Sequence, residues 1–183
     1  MRRIINSTYI TLDGAIENPQ DWPGLGGTDG KSGVIQTELL RSCDAVLMGR
    51  HTYDGFAPVW MTRSGDEYSD QINTMEKYVV SSTLPDPEWR NTTVITGDPI
   101  AEIRRLKAKP GKDIVQYAFG RLSYALMEHG LLDELRLWIH PFFVGRGGPE
   151  DLLYRQSGLA MFDLVDTTPL TNGIVILSYK FAR

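Results

Sequence analysis

The chain has 183 residues, of which 42% are hydrophobic and 23% are charged. This length fits one domain over residues 1–183, and the composition excludes a disordered tail, a collagen-like repeat and a disulfide-stabilised miniprotein. Nineteen Lys and Arg against 23 Asp and Glu give a net charge of −4. An acidic balance does not favour nucleic acid as a partner.

Cysteine and histidine usage gives no sign of a disulfide or a metal site. Cys43 is the single cysteine, and its apolar helical surroundings predict a core position. His51, His129 and His140 are too far apart to predict a zinc site, so no metal is expected. The first residues turn polar too early for a signal peptide, and no apolar run approaches the roughly 18 residues of a spanning helix. We therefore expect a cytoplasmic protein without a membrane partner.

Short β-branched runs alternate with amphipathic stretches, which predicts an α/β fold with a central, mostly parallel sheet of about eight strands. The predicted strands are Arg3–Thr11, Ala45–Met48, Lys77–Ser81, Thr92–Ile95, Asp113–Tyr117, Glu134–His140, Met161–Thr168 and Gly173–Phe181. The predicted helices are Val34–Ser42, Arg50–Gly55, Tyr68–Met75, Pro99–Ala108 and Leu122–His129.

Turn and capping residues mark several boundaries. Asp98 followed by Pro99 predicts a helix start, and Gly130 predicts the end of the helix before it. Residues 169–172 are too few for a crossover helix, so the last two strands are predicted to form an antiparallel hairpin. The stretch Asp13–Gly33 has six glycines and two prolines and is the first candidate for an active-site loop.

Two strands each end at a glycine that is followed by an arginine and a helix. The first junction contains Gly49 and Arg50, and the second contains Gly120 and Arg121. Free backbone N–H groups at the start of a helix form an anion site, and two such sites at one sheet edge can hold the phosphates of a dinucleotide. The alternative is that each is an ordinary strand-to-helix turn.

Three hydroxyl residues follow another strand. Ser81, Ser82 and Thr83 can donate to a phosphate monoester, although serine and threonine are also common in plain turns. The G-x-G-x-x-G fingerprint of dinucleotide-binding βαβ units is absent from the sequence.

Five motifs in order resemble a known family. The segment 47–53, Leu-Met-Gly-Arg-His-Thr-Tyr, resembles the G-R-x-T-[YW] segment of the dihydrofolate-reductase-like superfamily. Four further segments resemble the RibD C-terminal domain, which is the reductase domain of riboflavin biosynthesis. They are Thr11–Gly14, Lys77–Ser81, Gly130–Leu135 and Pro141–Gly145. The resemblance covers nearly the whole chain and implies a stand-alone member with that fold.

The resemblance implies an NADPH site. Its phosphate-binding segment corresponds to Gly49, Arg50, His51 and Thr52, and the adenosine 2′-phosphate would lie at Ser81 and Ser82. The second glycine turn, under the pyrophosphate and nicotinamide, corresponds to Phe119, Gly120, Arg121 and Leu122. Many relatives have arginine where this chain has Ser82, so the preference for NADPH over NADH depends on Arg50.

The acids that relatives use on the substrate side are missing. Dihydrofolate-type reductases carry an acid on the first helix, but residues 31–36 contain none, and the nearest carboxylates are Asp29 and Glu38. An acidic pair before a proline in riboflavin-type reductases is replaced by Phe56 and Ala57. The acids that remain near the mouth of the site are Asp13, Glu17, Asp21 and Asp54. Asp13, after the first strand, is the candidate for catalysis among them, with a turn before Gly14 as the alternative.

Two tryptophans are the candidates for substrate binding. Trp22 and Trp60 can stack on a planar ligand, or they can cover the rim of the core. We expect the Asp13–Gly33 loop to close over the substrate, with Asp13 and Trp22 as its contacts.

The predicted activity is NADPH-dependent hydride transfer to a C=N or C=O carbon of a small pterin-like or ribosylaminopyrimidine-like substrate. A dihydrofolate reductase and an NADPH-binding protein without turnover are the alternatives. A homodimer is also expected, because Ile174, Ile176 and Leu177 with Trp138 and Phe142 offer more apolar surface than a sheet edge should leave in water.

Overall fold

The computed structural model describes residues 1–25, 30–145, 147–153 and 158–182. Its strands are β1 (Ile4–Thr11), β2 (Cys43–Gly49), β3 (Glu76–Val80), β4 (Thr92–Ile95), β5 (Asp113–Tyr117), β6 (Glu134–His140), β7 (Phe162–Pro169) and β8 (Val175–Phe181). Its α-helices are α1 (Lys31–Ser42), α2 (Arg50–Trp60), α3 (Glu67–Thr74), α4 (Pro99–Ala108) and α5 (Arg121–Glu128).

The eight strands form one sheet in the order β4-β3-β2-β5-β1-β6-β8-β7. The pairs among β1 to β6 are parallel, whereas β8 runs antiparallel to both β6 and β7. This topology confirms the predicted mostly parallel sheet with an antiparallel C-terminal hairpin. The parallel strands therefore have their carboxyl ends at the same edge of the sheet.

The sheet has helices on both faces, and each face has its own apolar core. Helices α4 and α5 pack on one face through side chains that include Ile103 and Leu126. Helices α1, α2 and α3 pack on the other face through Leu40, Ala57 and Ile72. Since strands buried on both sides need apolar residues throughout, β2 and β5 consist of nearly continuous buried runs.

Predicted helix ends agree with the structure where capping residues mark them. The carboxylate of Asp98 accepts from the N–H groups of Ile100 and Ala101, at 2.9 and 3.2 Å. Gly130 has a φ of 63°, a conformation that favours glycine, and it follows α5 as predicted.

Two predictions near α1 and α2 are wrong. Cys43 is fully buried as expected, but it already begins β2, whereas the strand was predicted to start at Ala45. Helix α2 continues past Gly55 to Trp60 with Pro58 inside it. Its last turn is stabilised by packing, since Ala57 is buried and Phe56 and Trp60 also contact the core.

The predicted apolar surface on the C-terminal strands is also wrong. Trp138, Ile174 and Ile176 are at most 7% exposed, because they form a small core with Leu170 inside the protomer. The exposed apolar side chains of this region lie on β7 instead, where Leu164 and Val165 are more than half exposed. Within the described ranges, no helix is long and apolar enough to span a bilayer.

A buried lysine anchors the segment that follows β3. Lys77 is fully buried and donates to the carbonyl oxygens of Asn73 and Met75, at the C-terminal end of α3, and of Arg90, just before β4, at 2.7–3.2 Å. Its ammonium group also lies 4.7 Å from the ring centroid of Trp89. Burial lowers the pKa of Lys77 to about 8.

Lys77→Met is expected to lower the free energy of unfolding by about 1 to 2 kcal/mol at pH 7, because the carbonyls of Asn73, Met75 and Arg90 lose the hydrogen bond from Lys77, although the side chain of Arg90 still donates to Asn73. Denaturant titration of this variant and of Lys109→Met, at an exposed position, measures the difference. In the wild type, the lowered folded-state pKa makes the Lys77 contribution to stability increase between about pH 8 and the unfolded value of 10.5. Equal stability of the two variants at pH 7 would contradict the anchoring role.

Candidate functional site

The candidate site lies where the neighbouring strands β2 and β5 end. After Gly49 the chain enters α2 on one face of the sheet, and after Tyr117 it turns into α5 on the opposite face. Adjacent parallel strands whose helices leave to opposite faces open a crevice at their carboxyl ends, which is where open α/β sheets bind ligands. The two glycine junctions identified in the sequence thus lie side by side.

Both glycines leave space that a ligand can use. A Cβ atom built on Gly49 or Gly120 would meet no other atom within 4 Å. Neither residue has a positive φ, so backbone conformation does not require glycine at either place. The missing side chains therefore expose the N-termini of α2 and α5, an arrangement suited to phosphate groups held by backbone amides.

Arg50 connects the first glycine junction with the hydroxyl triplet, which is formed by Ser81, Ser82 and Thr83. Its Nε lies 2.8 Å from both carboxylate oxygens of Asp54, one turn later in α2, and its Nη1 lies 3.5 Å from Oγ1 of Thr83. The hydroxyl of Ser81 accepts from the N–H groups of Thr83 and Leu84, both at 3.1 Å, and so holds the turn. Ser82 is exposed beside it. The guanidinium of Arg50 and several hydroxyls are thus placed together at the end of β3.

The other residues predicted to bind the cofactor differ in exposure. His51 is exposed, with Nε2 3.4 Å from a carboxylate oxygen of Glu17, and Thr52 is half-buried. Phe119 is 4% exposed and packs against Tyr124, so only its backbone is available to a ligand. Arg121 is exposed and Leu122 half-buried at the start of α5.

A buried amide network supports the second glycine junction, and the sequence analysis missed it. Asn6 on β1 is fully buried, and its Nδ2 donates to Oε1 of Gln116 at 3.0 Å and to the carbonyl of Ala118 at 2.7 Å. Thr8 donates to Oδ1 of Asn6 at 2.7 Å. Ala118 has a φ of 63°, an unfavourable conformation for alanine that the bond from Asn6 helps to hold. Asn6 therefore positions the turn that leads to Gly120.

Asn6→Ala is expected to weaken cofactor binding about fivefold, because Ala118 can relax once its carbonyl loses its donor, and to lower stability by about 1 to 2 kcal/mol. The matched control is Thr8→Val, which removes a bond within the network but keeps the contact between Asn6 and Ala118. Calorimetric titration with NADPH should find near wild-type affinity for the control. Equal losses of affinity in both variants would indicate a purely structural role for Asn6.

Asp13 is exposed and already has several hydrogen-bond donors. Its carboxylate accepts from the hydroxyl of Thr11 and from the N–H groups of Val144 and Gly145, at 3.3 and 2.9 Å. These bonds, with that from Thr11 the strongest, lower the pKa of Asp13. Asp13 thus joins the end of β1 to the segment after β6, and its environment favours the ionised form.

The two candidate tryptophans lie in different surroundings. The ring of Trp22 packs edge-on against His140 and Phe142, with centroids 5.2 and 5.7 Å apart, so this part of the loop rests on the end of β6. Burial lowers the pKa of His140, which keeps that ring neutral at pH 7. Trp60 instead packs against Tyr68 and lines a groove.

That groove has a volume of about 380 Å³ and runs between β1, α1, α2 and α3. Its described lining residues are Tyr9, Gly33, Gln36, Thr37, Trp60, Asp66, Glu67 and Tyr68. The hydroxyls of Tyr68 and Tyr117 are 2.9 Å apart, and Tyr117 is the last residue of β5. The groove therefore reaches the same sheet edge as the second glycine junction. Sequence reasoning found Trp60 but missed Tyr9, Gln36 and Tyr68.

The two carboxylates nearest to the expected acid position in the sequence, Asp29 and Glu38, are not among the described lining residues of this groove. Glu38 is exposed on α1 and is not among the lining residues, whereas Asp29 lies outside the described residues. The α1 side chains that line the groove with polar groups are those of Gln36 and Thr37, and neither is an acid. Within the described part of the chain, no cluster of three or more His, Cys, Asp or Glu is placed to hold a metal ion.

Comparison with known proteins gives consistent results. YyaP of Bacillus subtilis (strain 168) is 31% identical over 193 residues, covering 98% of this chain and 95% of YyaP. A putative riboflavin biosynthesis protein from Shewanella sp. PV-4 has a similar structure, with a TM-score of 0.70 and 18% identity over the full length of both chains.

A bifunctional enzyme from Thermotoga maritima, a diaminohydroxyphosphoribosylaminopyrimidine deaminase/5-amino-6-(5-phosphoribosylamino)uracil reductase, also has a similar structure. The TM-score is 0.68 with 15% identity, over 99% of this chain and 57% of that enzyme. These structures support the dihydrofolate-reductase-like fold that the sequence predicted. Residues 2–176 match the RibD C-terminal domain family, and the chain belongs to that family.

Proposed function

We propose that this protein is an NADPH-dependent reductase that transfers a hydride to a C=N or C=O carbon of a small heterocyclic substrate. The observation that carries the proposal is the pair of open glycine junctions beside Arg50, next to a groove lined with aromatic residues. Membership of the RibD C-terminal domain family supports a reductase of the riboflavin-biosynthesis type.

The residues present fit the dinucleotide. The backbone at Gly49 and at Phe119–Gly120 would hold the pyrophosphate, with His51, Thr52, Arg121 and Leu122 around it. Arg50, Ser81 and Ser82 would hold the adenosine 2′-phosphate. NADPH supplies the hydride, and the protein orients the cofactor and excludes water from the reacting groups.

On the substrate side, Trp60 would stack on the heterocycle, and Trp22 would close the site through the 13–33 loop. The proton would come from water or from Asp13. The lowered pKa of Asp13 makes an anchoring role the better fit, since an ionised carboxylate accepts hydrogen bonds but has no proton to give. Asp13→Asn and Trp22→Ala with unchanged turnover would contradict the closing role of the loop.

Two alternatives make different predictions. A dihydrofolate reductase would oxidise NADPH with dihydrofolate and be inhibited by methotrexate, but the groove has Gln36 on α1 where an acid would be expected. A binding protein without turnover would bind NADPH and oxidise none of the substrates offered.

The proposal is tested by NADPH titration and by following absorbance at 340 nm with dihydrofolate and ribosylaminopyrimidine substrates. We expect NADPH to bind and to be oxidised with a substrate of the second type. Absence of NADPH binding would overturn the proposal, and binding without oxidation of any substrate would favour the binding protein.

We also propose a homodimer in a cytoplasmic setting. The exposed strand β7, with Leu164 and Val165, lies at the free edge of the sheet and is the surface a second copy would cover. Light scattering at micromolar concentration should give twice the mass of one chain. Leu164→Lys should shift the protein to monomer, whereas a monomeric wild type would remove this proposal.

A further inference from the structure

The groove beside β1 has aromatic walls and neutral hydroxyls. Tyr9, Trp60 and Tyr68 all line it. Burial is the main cause that raises the pKa of both Tyr9 and Tyr68, so these hydroxyls stay protonated at pH 7. Aromatic rings favour a planar ligand, and protonated phenols can donate hydrogen bonds to a carbonyl group.

The Gln36 side chain supplies the groove with an unused acceptor. Its Nε2 lies 3.2 Å from the hydroxyl of Tyr9, to which it donates. Its Oε1 is buried and is the one buried side-chain oxygen or nitrogen of the described residues that has no hydrogen-bond partner. A buried acceptor without a donor is unfavourable, so a ligand N–H group would complete the bonding of this amide.

The charges around the groove do not suit a phosphate group. Among its described lining residues, Asp66 and Glu67 are charged, and none is Lys, Arg or His. Hydrogen bonds from the hydroxyl and N–H of Ser69 lower the pKa of Asp66, which keeps it anionic. The cations nearby are already engaged: Arg41 pairs with Glu67, and the guanidinium of Arg63 lies 5.0 Å from the Trp60 ring centroid.

From this geometry we propose that the groove binds an uncharged planar heterocycle that carries a ring N–H next to a carbonyl and no phosphate group, and that Gln36 is its specificity-determining residue. The ring N–H donates to Oε1 of Gln36, the ring stacks on Trp60, and a phosphorylated form of the same compound is repelled by the carboxylate of Asp66. The inference rests on the proposed function in one respect, because the heterocycle is taken as the hydride acceptor.

Three matched flavins serve as probes. Riboflavin is uncharged with a ring N–H between two carbonyls, FMN differs from it by one phosphate, and 3-methylriboflavin lacks the ring N–H. Binding is followed by the quenching of flavin fluorescence, since stacking on tryptophan quenches it, with and without saturating NADP⁺ to block phosphate binding at the cofactor site. We expect riboflavin to bind about tenfold more tightly than either analogue.

Gln36→Met tests the named residue, because methionine keeps the length of the side chain but removes the amide. This variant should bind riboflavin and 3-methylriboflavin within about twofold of each other. The matched control is Glu38→Gln, which changes an exposed residue of the same helix outside the groove and should keep the wild-type preference.

The proposal is overturned if riboflavin does not bind, if FMN binds as tightly as riboflavin, or if the preference for the ring N–H persists in Gln36→Met. NADPH titration of the same preparations separates the two proposals. NADPH binding without the riboflavin preference refutes this inference alone, whereas the preference without NADPH binding refutes the proposed reductase function alone.

Discussion

Gly49→Val is expected to lower the affinity for NADPH by about 100-fold or more, which corresponds to about 2.7 kcal/mol. Gly49 has a φ of −81° and a ψ of 170°, a conformation that valine adopts without strain, and a Cβ here meets nothing within 4 Å. The free protein should therefore tolerate the substitution, with stability changed by no more than about 0.5 kcal/mol. The valine methyl groups would instead occupy the space that the phosphates need.

Calorimetric titration with NADPH and denaturant unfolding of the same variant make the comparison. The matched control is Gly55→Val, because Gly55 is exposed in the middle of α2 and its surroundings are equally open. We expect the control to bind NADPH like the wild type. If Gly49→Val binds NADPH normally, the cofactor does not approach this junction and the assignment of the site is wrong.

The sequence was sufficient to predict features that depend on local signals. The glycine junctions, the cap at Asp98 and the C-terminal hairpin all have residues that act on their own neighbours in the chain, so each could be identified without knowledge of the fold. The strands Thr92–Ile95, Asp113–Tyr117 and Glu134–His140 have the predicted bounds.

The features that were missed depend on contacts between distant parts of the chain. Asn6 meets Gln116 and Ala118 across 110 and 112 residues, and nothing near Asn6 in the sequence signals a partner. Gln36 is an ordinary helix residue until the fold brings Tyr9 within 3.2 Å of it. The burial of Trp138 and Ile176 likewise follows from packing, since an apolar strand has the same sequence whether its face is covered or exposed.

The contribution of Arg50 to cofactor binding depends on the hydrogen bonds that it makes in the free protein. Its Nε contacts Asp54 at 2.8 Å, so the guanidinium must exchange this carboxylate for a phosphate when the cofactor binds. The ion pair is partly exposed, with side-chain exposures of 39% and 50%, and an exposed pair of this kind is weak. A phosphate monoester carries more charge than a carboxylate and should displace it.

Arg50→Ala is therefore expected to weaken NADPH binding by about 1 to 3 kcal/mol, through the loss of a charge-assisted hydrogen bond. The affinity for NADH should fall much less, because NADH lacks the 2′-phosphate. Arg50 lies beside the hydroxyl triplet, 3.5 Å from Thr83, where that phosphate is expected to bind. Asp54→Asn is the control: it releases Arg50 from its partner and should not lower the affinity for NADPH. The difference in NADPH affinity between the wild type and Arg50→Ala should also be smaller at high salt, where charges at this exposed site are screened. Equal losses for NADPH and NADH would place Arg50 on the pyrophosphate that both share, and unchanged NADPH affinity would remove it from the site.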